Sequence, residues 1–507
     1  MVPYNQRWSL TMPISFETFK QYAQTYNTIP IFEQLVFDAH TPLTAFYQFK
    51  DEPNYVFLEG VSPHAQHGRF SYLGLDPELT CECFSHDYKL TKNKTVTQHK
   101  GTTFDALTHL LNHYTYPPDC PDYFTGILGN LSYECIHHYE TIAKPPIREL
   151  NTPDAAFMIP KTMLIFDKLY HTLTICITTF LDPKTNLNDT HLTPIYNQAI
   201  TQLNKIKQKC MNPTTISPAI LFNQIDNYDQ LNYNINIDKD TFLNHVNRCK
   251  DYIEAGDIFQ IQISRRASID YSNDPFLLYR YLRNFNPSPL LFNIKLANYS
   301  LIGASPEILV NVEQNIMSIR PIAGTRKRYS RKQSESEIIE ELSTDPKEKA
   351  EHIMLVDLAR NDVGRACKLN SVDVKDLMII EKYAHVIHMV SAVEGYLKPQ
   401  YSAVDALKYG FPAGTVTGAP KIRAMEIIAE LETQQREFYS GGVVFFDFKN
   451  NLKSALTIRS ICVANGKAYT QAAGGIVADS IPEMEFKETE NKMRSSLSAM
   501  AQCGDLP

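Results

Sequence analysis

The order of hydrophobic periods along this chain restricts its fold more than any other feature. Strand-like alternation and helix-like spacing follow one another with no βαβ rhythm and no internal repeat. Doubly wound sheets and parallel barrels need that rhythm, so the pattern points to an α+β fold. The stretch "KTMLIFDKLYHTLTICITTF" (Lys161–Phe180) predicts two strands joined by a turn. Ile195, Ala199, Leu203 and Ile206 recur at helical spacing. The polar, Asn-rich segment that follows predicts a connector over residues 208–238, between units spanning 14–207 and 239–503.

Composition removes several function classes. The chain has 507 residues, 43% of them hydrophobic, enough for a large core. A net charge of −7 offers no basic stripe, so nucleic acid is not an expected partner. No run approaches the roughly 18 apolar residues of a membrane helix, and "MVPYNQRWSLTMPISF" has no apolar signal segment. The ten cysteines lack zinc-site spacing, with Cys81 and Cys83 the closest pair. They read as reduced thiols of a cytoplasmic protein.

The second half carries the chemistry. Fourteen of the twenty glycines follow residue 250, most inside short motif-like stretches. In "EKAEHIMLVDLARNDVGR" (Glu348–Arg365), Glu351 shares a helix face with Leu355 and Leu358. Asp345, Pro346 and Glu348 suit a cap, a first helical position and a capping-box acid, which explains Glu348 but not Glu351. A carboxylate facing a core is costly unless it is paired or metal-bound. In "QAAGGIVADSIPEMEFKETENKM" (Gln471–Met493), Glu485 and Glu488 open a second helix at the same i,i+3 spacing, and a surface pair with Lys492 would account for Glu488.

Other stretches have bland readings. "GDIFQIQISRR" (Gly256–Arg266) alternates, with Phe259, Ile261 and Ile263 on one face and Gln260, Gln262 and Ser264 on a wet one. In "LIGASPEILV" (Leu301–Val310), Glu307 follows a Ser-Pro turn. "RPIAGTRKR" (Arg320–Arg328) ends a strand on Gly324-Thr325 and enters a charged, solvated loop. His385 and His388 lie in an apolar segment that favours core histidines. "FPAGTVTGAPKIRAMEIIAELE" (Phe411–Glu432) is a glycine-rich loop opening a helix, without the phosphate-loop pattern but with backbone N–H groups that favour an anion. Taken together, four carboxylates from two helix starts, two glycine loops and Arg459 suggest a hard cation such as Mg²⁺ beside an anionic substrate.

The motifs "GASPEILV", "RPIAGT", "AEHIMLVDLARNDVGR", "FPAGTVTGAPKIRAMEII" and "KETENKM" resemble those of anthranilate synthase large subunits, within the chorismate-utilising enzymes. The resemblance runs from "FETFKQYAQTYNTIPIF" to the C-terminal helix. It implies two packed antiparallel β-sheets flanked by helices. It also implies conversion of chorismate and ammonia to anthranilate and pyruvate with Mg²⁺, the first committed step of tryptophan biosynthesis. On that basis Glu351 and Glu488 are expected as direct Mg²⁺ ligands, and Glu348 and Glu485 as holders of metal-bound waters. Gln260, Gly324, Thr325, Thr415, Tyr439, Arg459, Ala473, Gly474, Gly475 and Lys492 are expected to hold substrate, with Arg459 on a carboxylate. Glu307 is expected as the general acid, with His388 and Thr325 beside it in the catalytic set.

Three departures sharpen the resemblance. Ala323 stands where aminodeoxychorismate synthases usually carry a nucleophilic Lys. Gln260 stands where isochorismate and salicylate synthases carry a water-activating Lys, and an amide cannot be a base. There is no Gly-x-Cys-x-Gly elbow, so ammonia is expected from a separate glutamine amidotransferase subunit or from solution. The alternatives are an aminodeoxyisochorismate synthase that retains the pyruvyl group and a non-catalytic chorismate- or tryptophan-binding relative. The intact acidic set, Glu307 and Arg459 argue against the second. Feedback by L-tryptophan is expected at Glu59, Gly60, Pro289, Leu290 and Leu291. There "VFLEG" and "NPSPLLF" replace the family's Leu-Leu-Glu-Ser and Asn-Pro-Ser-Pro-Tyr-Met, so inhibition is expected to be weaker.

Overall fold

The computed structural model describes residues 12–504 apart from 61–67, 183–184, 213–230, 287, 329–332 and 383–385, and apart from the Thr325 side chain. Most of the expected connector, 213–230, and His385 therefore lie outside the described residues. Among the described residues every strand ladder is antiparallel, and pairing links 22 strands in one network. That network forms two layers because two strands, Phe70–Phe84 and Ala155–Asp167, are long enough to run through both. Their register breaks between Pro77 and Leu79, where proline cannot donate to the ladder.

The first halves of this pair's partnership, Phe70–Leu75 against Thr162–Asp167, lie in a layer that runs from Thr28–Val36 to Gln260–Asp270. The other halves, Leu79–Cys83 against Ala155–Ile159, lie in a layer that runs through Gly126–Leu131 and Gly442–Asp447 to Val386–Tyr396. Val56, Ile165, Phe292 and Leu301 of one layer pack on Leu128, Met158, Val443 and Phe445 of the other. The helices Asp189–Met211, Pro275–Phe285 and Pro482–Gly504 cover the outer face of the first layer. The helices Thr103–His113, Pro346–Ala366 and Ala403–Gly410 cover the second. Strands from before and after the connector share each layer, as in the ladders Tyr55–Gly60 with Leu290–Leu296 and Gly126–Leu131 with Gly442–Asp447.

Several local expectations hold. The strands Ala155–Asp167 and Thr172–Phe180 flank a turn, and Ala199, Leu203 and Ile206 are buried on one helix. All ten cysteines are buried thiols. No described helix is long and apolar enough to cross a membrane.

Others fail for physical reasons. Phe259 does not share the buried face of Ile261 and Ile263; it precedes the strand and is exposed. The opposite face is not wet either: Gln262 and Ser264 are buried, because strands and helices cover both sides. The helix at Pro346 starts as expected on Asp345, which accepts from Lys347 N and Glu348 N. Glu348 closes no capping box, because its carboxylate is taken by Arg326. The core stripe of that helix is His352, Val356, Ala359 and Val363, while Glu351, Leu355 and Leu358 lie on the adjacent half-buried face. Gly324 and Thr325 sit inside the strand Ile322–Lys327, not at its end, at a bulge in register with Val386–Tyr396.

Candidate active site

Two helix starts from opposite layers bring the carboxylates together. Glu348 Oε1 accepts from Arg326 Nη1 at 2.7 Å, and Arg326 also reaches Asp345 and Glu341. The charged segment after Gly324 is thus partly ordered by ion pairs and is not simply solvated. Gly324 has a φ of +58°, and a Cβ there would lie 3.1 Å from Glu348 Oε2. A side chain at 324 would therefore be strained and would crowd the carboxylate. Glu351 is half-buried, with Lys347 3.9 Å away. Burial pushes its carboxyl up, and the charges of Glu348, Glu488 and Asp345 add to that against the pull of Lys347.

On the other helix, Glu485 accepts from Ser480 Oγ at 2.7 Å, but its Oε2 is buried with no partner. Burial raises this carboxyl too, and Glu488 raises it further. Glu488 is exposed and pairs with Lys492 Nζ at 2.6 Å, the surface contact its spacing allowed. Lys492 also donates to Ala473 O at 2.8 Å. Each of Glu351 and Glu485 senses the charge of Glu488, so the two helix starts face a common space. Among the described residues, no three His, Cys, Asp or Glu side chains converge tightly enough to form a closed metal cage. The donor set is nonetheless all oxygen, with one orphaned buried carboxylate oxygen. That suits Mg²⁺, which uses few carboxylates and completes its shell with water and substrate oxygens.

The remaining expected residues line the same region in two groups. Glu307 accepts from Thr415 Oγ1 at 2.6 Å, and burial pushes its carboxyl up to about 7, opposed by that bond and by the charge of Lys492. A small cavity beside it is lined by Leu355, Leu358, Asp362, Gly414 and Thr415. Gly414 permits this packing, since a Cβ there would fall 1.8 Å from Leu358 Cδ2. Arg459 donates to Lys492 O at 3.0 Å and senses Tyr439 and Glu488. His388 pairs with Thr325 across the ladder; burial lowers its imidazole, and a hydrogen bond to the Gly324 backbone opposes that. Gly474 and Gly475 face Ile263 and Gln262 in the ladder, where a Cβ on Gly475 would meet Gln262 Nε2 at 2.8 Å and Gln260 Nε2 at 3.4 Å. Tyr439 is buried, and burial pushes its hydroxyl up to about 12, opposed by the charge of Arg436 and by a hydrogen bond to the Ala473 backbone.

Sequence reasoning missed the ionic supports beneath these residues. Lys421, at the head of the glycine-loop helix, forms a 2.7 Å ion pair with buried Asp362. Arg436 and Glu432 form a buried pair at i,i+4. Their spacing was visible, but a helical surface pair has the same spacing.

A family model described as chorismate binding enzyme matches residues 63–498. Anthranilate synthase component 1 of Acetivibrio thermocellus is 36% identical over 505 residues, covering 97% of this chain and 99% of the relative. The component 1 of Synechocystis sp. is 38% identical over 506 residues, covering 96% and 98%. The chain belongs to the anthranilate synthase component 1 family. The crystal structure of a family member, anthranilate synthase component I from Streptococcus pneumoniae, superposes with a TM-score of 0.71 at 31% identity, covering 91% of this chain and 99% of that one. The menaquinone-specific isochorismate synthase of Escherichia coli shares the fold alone, with a TM-score of 0.65 at 16% identity and coverage of 95% and 98%.

Proposed function

We propose that this chain aminates chorismate with ammonia and eliminates pyruvate to give anthranilate, with Mg²⁺ bound by Glu351 and Glu488 and water-bridged by Glu348 and Glu485. The observation that carries the reading is the pairing of under-satisfied carboxylates on two helix starts with Glu307, a carboxyl held near 7 by burial beside a small cavity. Mg²⁺, when bound, would neutralise the ring carboxylate of the substrate and hold it in place. The chain's own residues do the rest. Arg459 offers a guanidinium to the second carboxylate. Gly324, Gly474 and Gly475 leave room for backbone to approach the ring. Glu307, protonated below about pH 7, delivers a proton to the departing ring hydroxyl, and Thr415 aims it. His388 lies beside Gly324 and near Arg459, suited to the later elimination.

Ammonia is expected from a separate glutaminase component, since a Cys nucleophile for amide hydrolysis has no candidate motif here. Residues 14–207 form the regulatory unit in this reading, joined through 208–238 to a catalytic unit of 239–503. Tryptophan would bind along the ladder where Glu59 faces Leu291 and Gly60 faces Leu290, with Pro289 at its end. Purified chain with chorismate, ammonium and Mg²⁺ should give anthranilate fluorescence. Glutamine in place of ammonium should give none. A product of higher mass that keeps the pyruvyl group, or no product, would overturn the assignment.

A further inference from the structure

Arg436 is the largest fully buried side chain among the described residues, and every one of its five N–H groups has an acceptor. Nε and Nη2 fork onto Glu432 at 2.9 and 2.8 Å. Nη2 also donates to Gln262 O at 2.7 Å, and Nη1 donates to Val416 O at 2.7 Å and to Ser440 Oγ at 3.4 Å. Glu432 in turn accepts from Ser264 N and Ser264 Oγ, both at 2.8 Å.

Each acceptor sits at a piece of the candidate site. Val416 follows Thr415, the hydroxyl that meets Glu307. Gln262 faces Gly475 across the ladder. Ser440 follows Tyr439, and the guanidinium lies 5.7 Å from the Tyr439 ring. The loop at 414–417 runs into the short strand Gly418–Ala419, which pairs with Gln260 and Ile261, so its C-terminal end is held by backbone. It forms one short 3₁₀ turn closed by Val416 N and Thr417 N on Ala413 O and Gly414 O, with no side-chain cap on its first residue. Gln262 N holds its far end at Thr417 O (2.9 Å), so Arg436 supplies the tie at Val416, the residue next to Thr415. A planar fork with five donors can hold three segments at fixed spacing; a point charge with three donors cannot.

We propose that Arg436 is a positioning residue that fixes the Thr415 loop against the strand of Gln262, and so sets the aim of Thr415 on Glu307. This rests on the chorismate-aminating reading of the site. If that reading fails, the unaltered protein makes no anthranilate and the test below cannot start, so the two failures are distinguishable.

The test is a double-mutant cycle of Arg436→Lys and Thr415→Val in the full chain, reading kcat and KM for chorismate and the urea unfolding midpoint. Arg436→Lys is expected to lower kcat about tenfold or more, with a smaller change in KM. Thr415→Val, which removes only the hydroxyl, should do the same. In the double variant kcat should fall no further than in the worse single variant, because both changes break one linkage. Two kcat losses that multiply, or an Arg436→Lys variant that loses unfolding midpoint while keeping wild-type kcat, would overturn the proposal and leave Arg436 a purely structural clamp. If Arg436→Lys does not fold, Glu432→Gln takes its place in the cycle, since it keeps shape but weakens the anchor that orients the fork.

Discussion

Glu59 and Glu485 are both carboxylates on the packed body of this molecule, and they have opposite fates. Glu59 is buried and fully served: Tyr279 OH donates at 2.7 Å, and Arg283 donates through Nε at 2.8 Å and Nη2 at 2.9 Å. Glu485 has one hydroxyl donor and one buried oxygen with none. Glu351 and Glu307 resemble Glu485, each with a carboxyl pushed up by burial that its partners do not fully offset. A desolvated charge with its full set of donors is a closed structural unit. One left short is raised in energy and ready to gain a cation, a proton or a ligand.

The sharpest test of that contrast is Glu307→Gln. As a general acid Glu307 must be protonated, so the rate should fall as pH rises through about 7. The variant should lose about 10²–10⁴-fold in kcat, the usual worth of a positioned acid. A variant that keeps its rate and its descending limb above pH 7 would remove Glu307 from the chemistry.

Next in size is Glu59→Ala, whose effect should be on stability. Removing one partner of a buried pair typically costs ~3–5 kcal/mol. Arg283 keeps 32% of its side chain in solvent, which places the expected loss near the bottom of that range. Urea unfolding measures it, and a change under about 1 kcal/mol would mean that Glu59 is not the closed unit its contacts describe.

Glu351→Gln and Glu488→Gln should each lower turnover by more than about 100-fold, beyond what outer partners of a metal usually give, while the fold survives. Titrating activity with Mg²⁺ checks this. Near-normal activity at limiting Mg²⁺ would break the metal assignment and return Glu488 to its pair with Lys492.

The smallest effect concerns Gly60→Ser. A serine hydroxyl could add one hydrogen bond to bound tryptophan, about 0.5–1.5 kcal/mol. A Cβ at 60, however, would lie 2.9 Å from Gly68 Cα and 3.0 Å from Phe70 O, both backbone. The expected outcome is a lowered unfolding midpoint with tryptophan inhibition tightened by less than about tenfold. Tightening with an unchanged midpoint would show that the backbone at 68–70 yields freely. Unchanged or weaker inhibition would show that the missing serine does not set the strength of feedback.

What was legible in the sequence was what depends on local period and on side-chain chemistry. Absence of βαβ rhythm gave the α+β class, and the i,i+3 acids at Glu348/Glu351 and Glu485/Glu488 named the carboxylates. The motif resemblance named their neighbours. The tertiary structure alone decided which face each residue presents. Glu351 leads a half-buried face because the neighbouring face, from His352 to Val363, packs on the second sheet's outer core. Gln262 and Ser264 are buried because a strand whose two sides are both covered has no wet face, whatever its alternation. Only the fold could give Glu348 to Arg326 and Asp362 to Lys421, or put Arg436 between the loop at Val416 and the strand at Gln262. Period constrains neighbours a few residues apart along the chain. The partner of a buried charge is chosen by which segments the two sheets bring within about 3 Å of it.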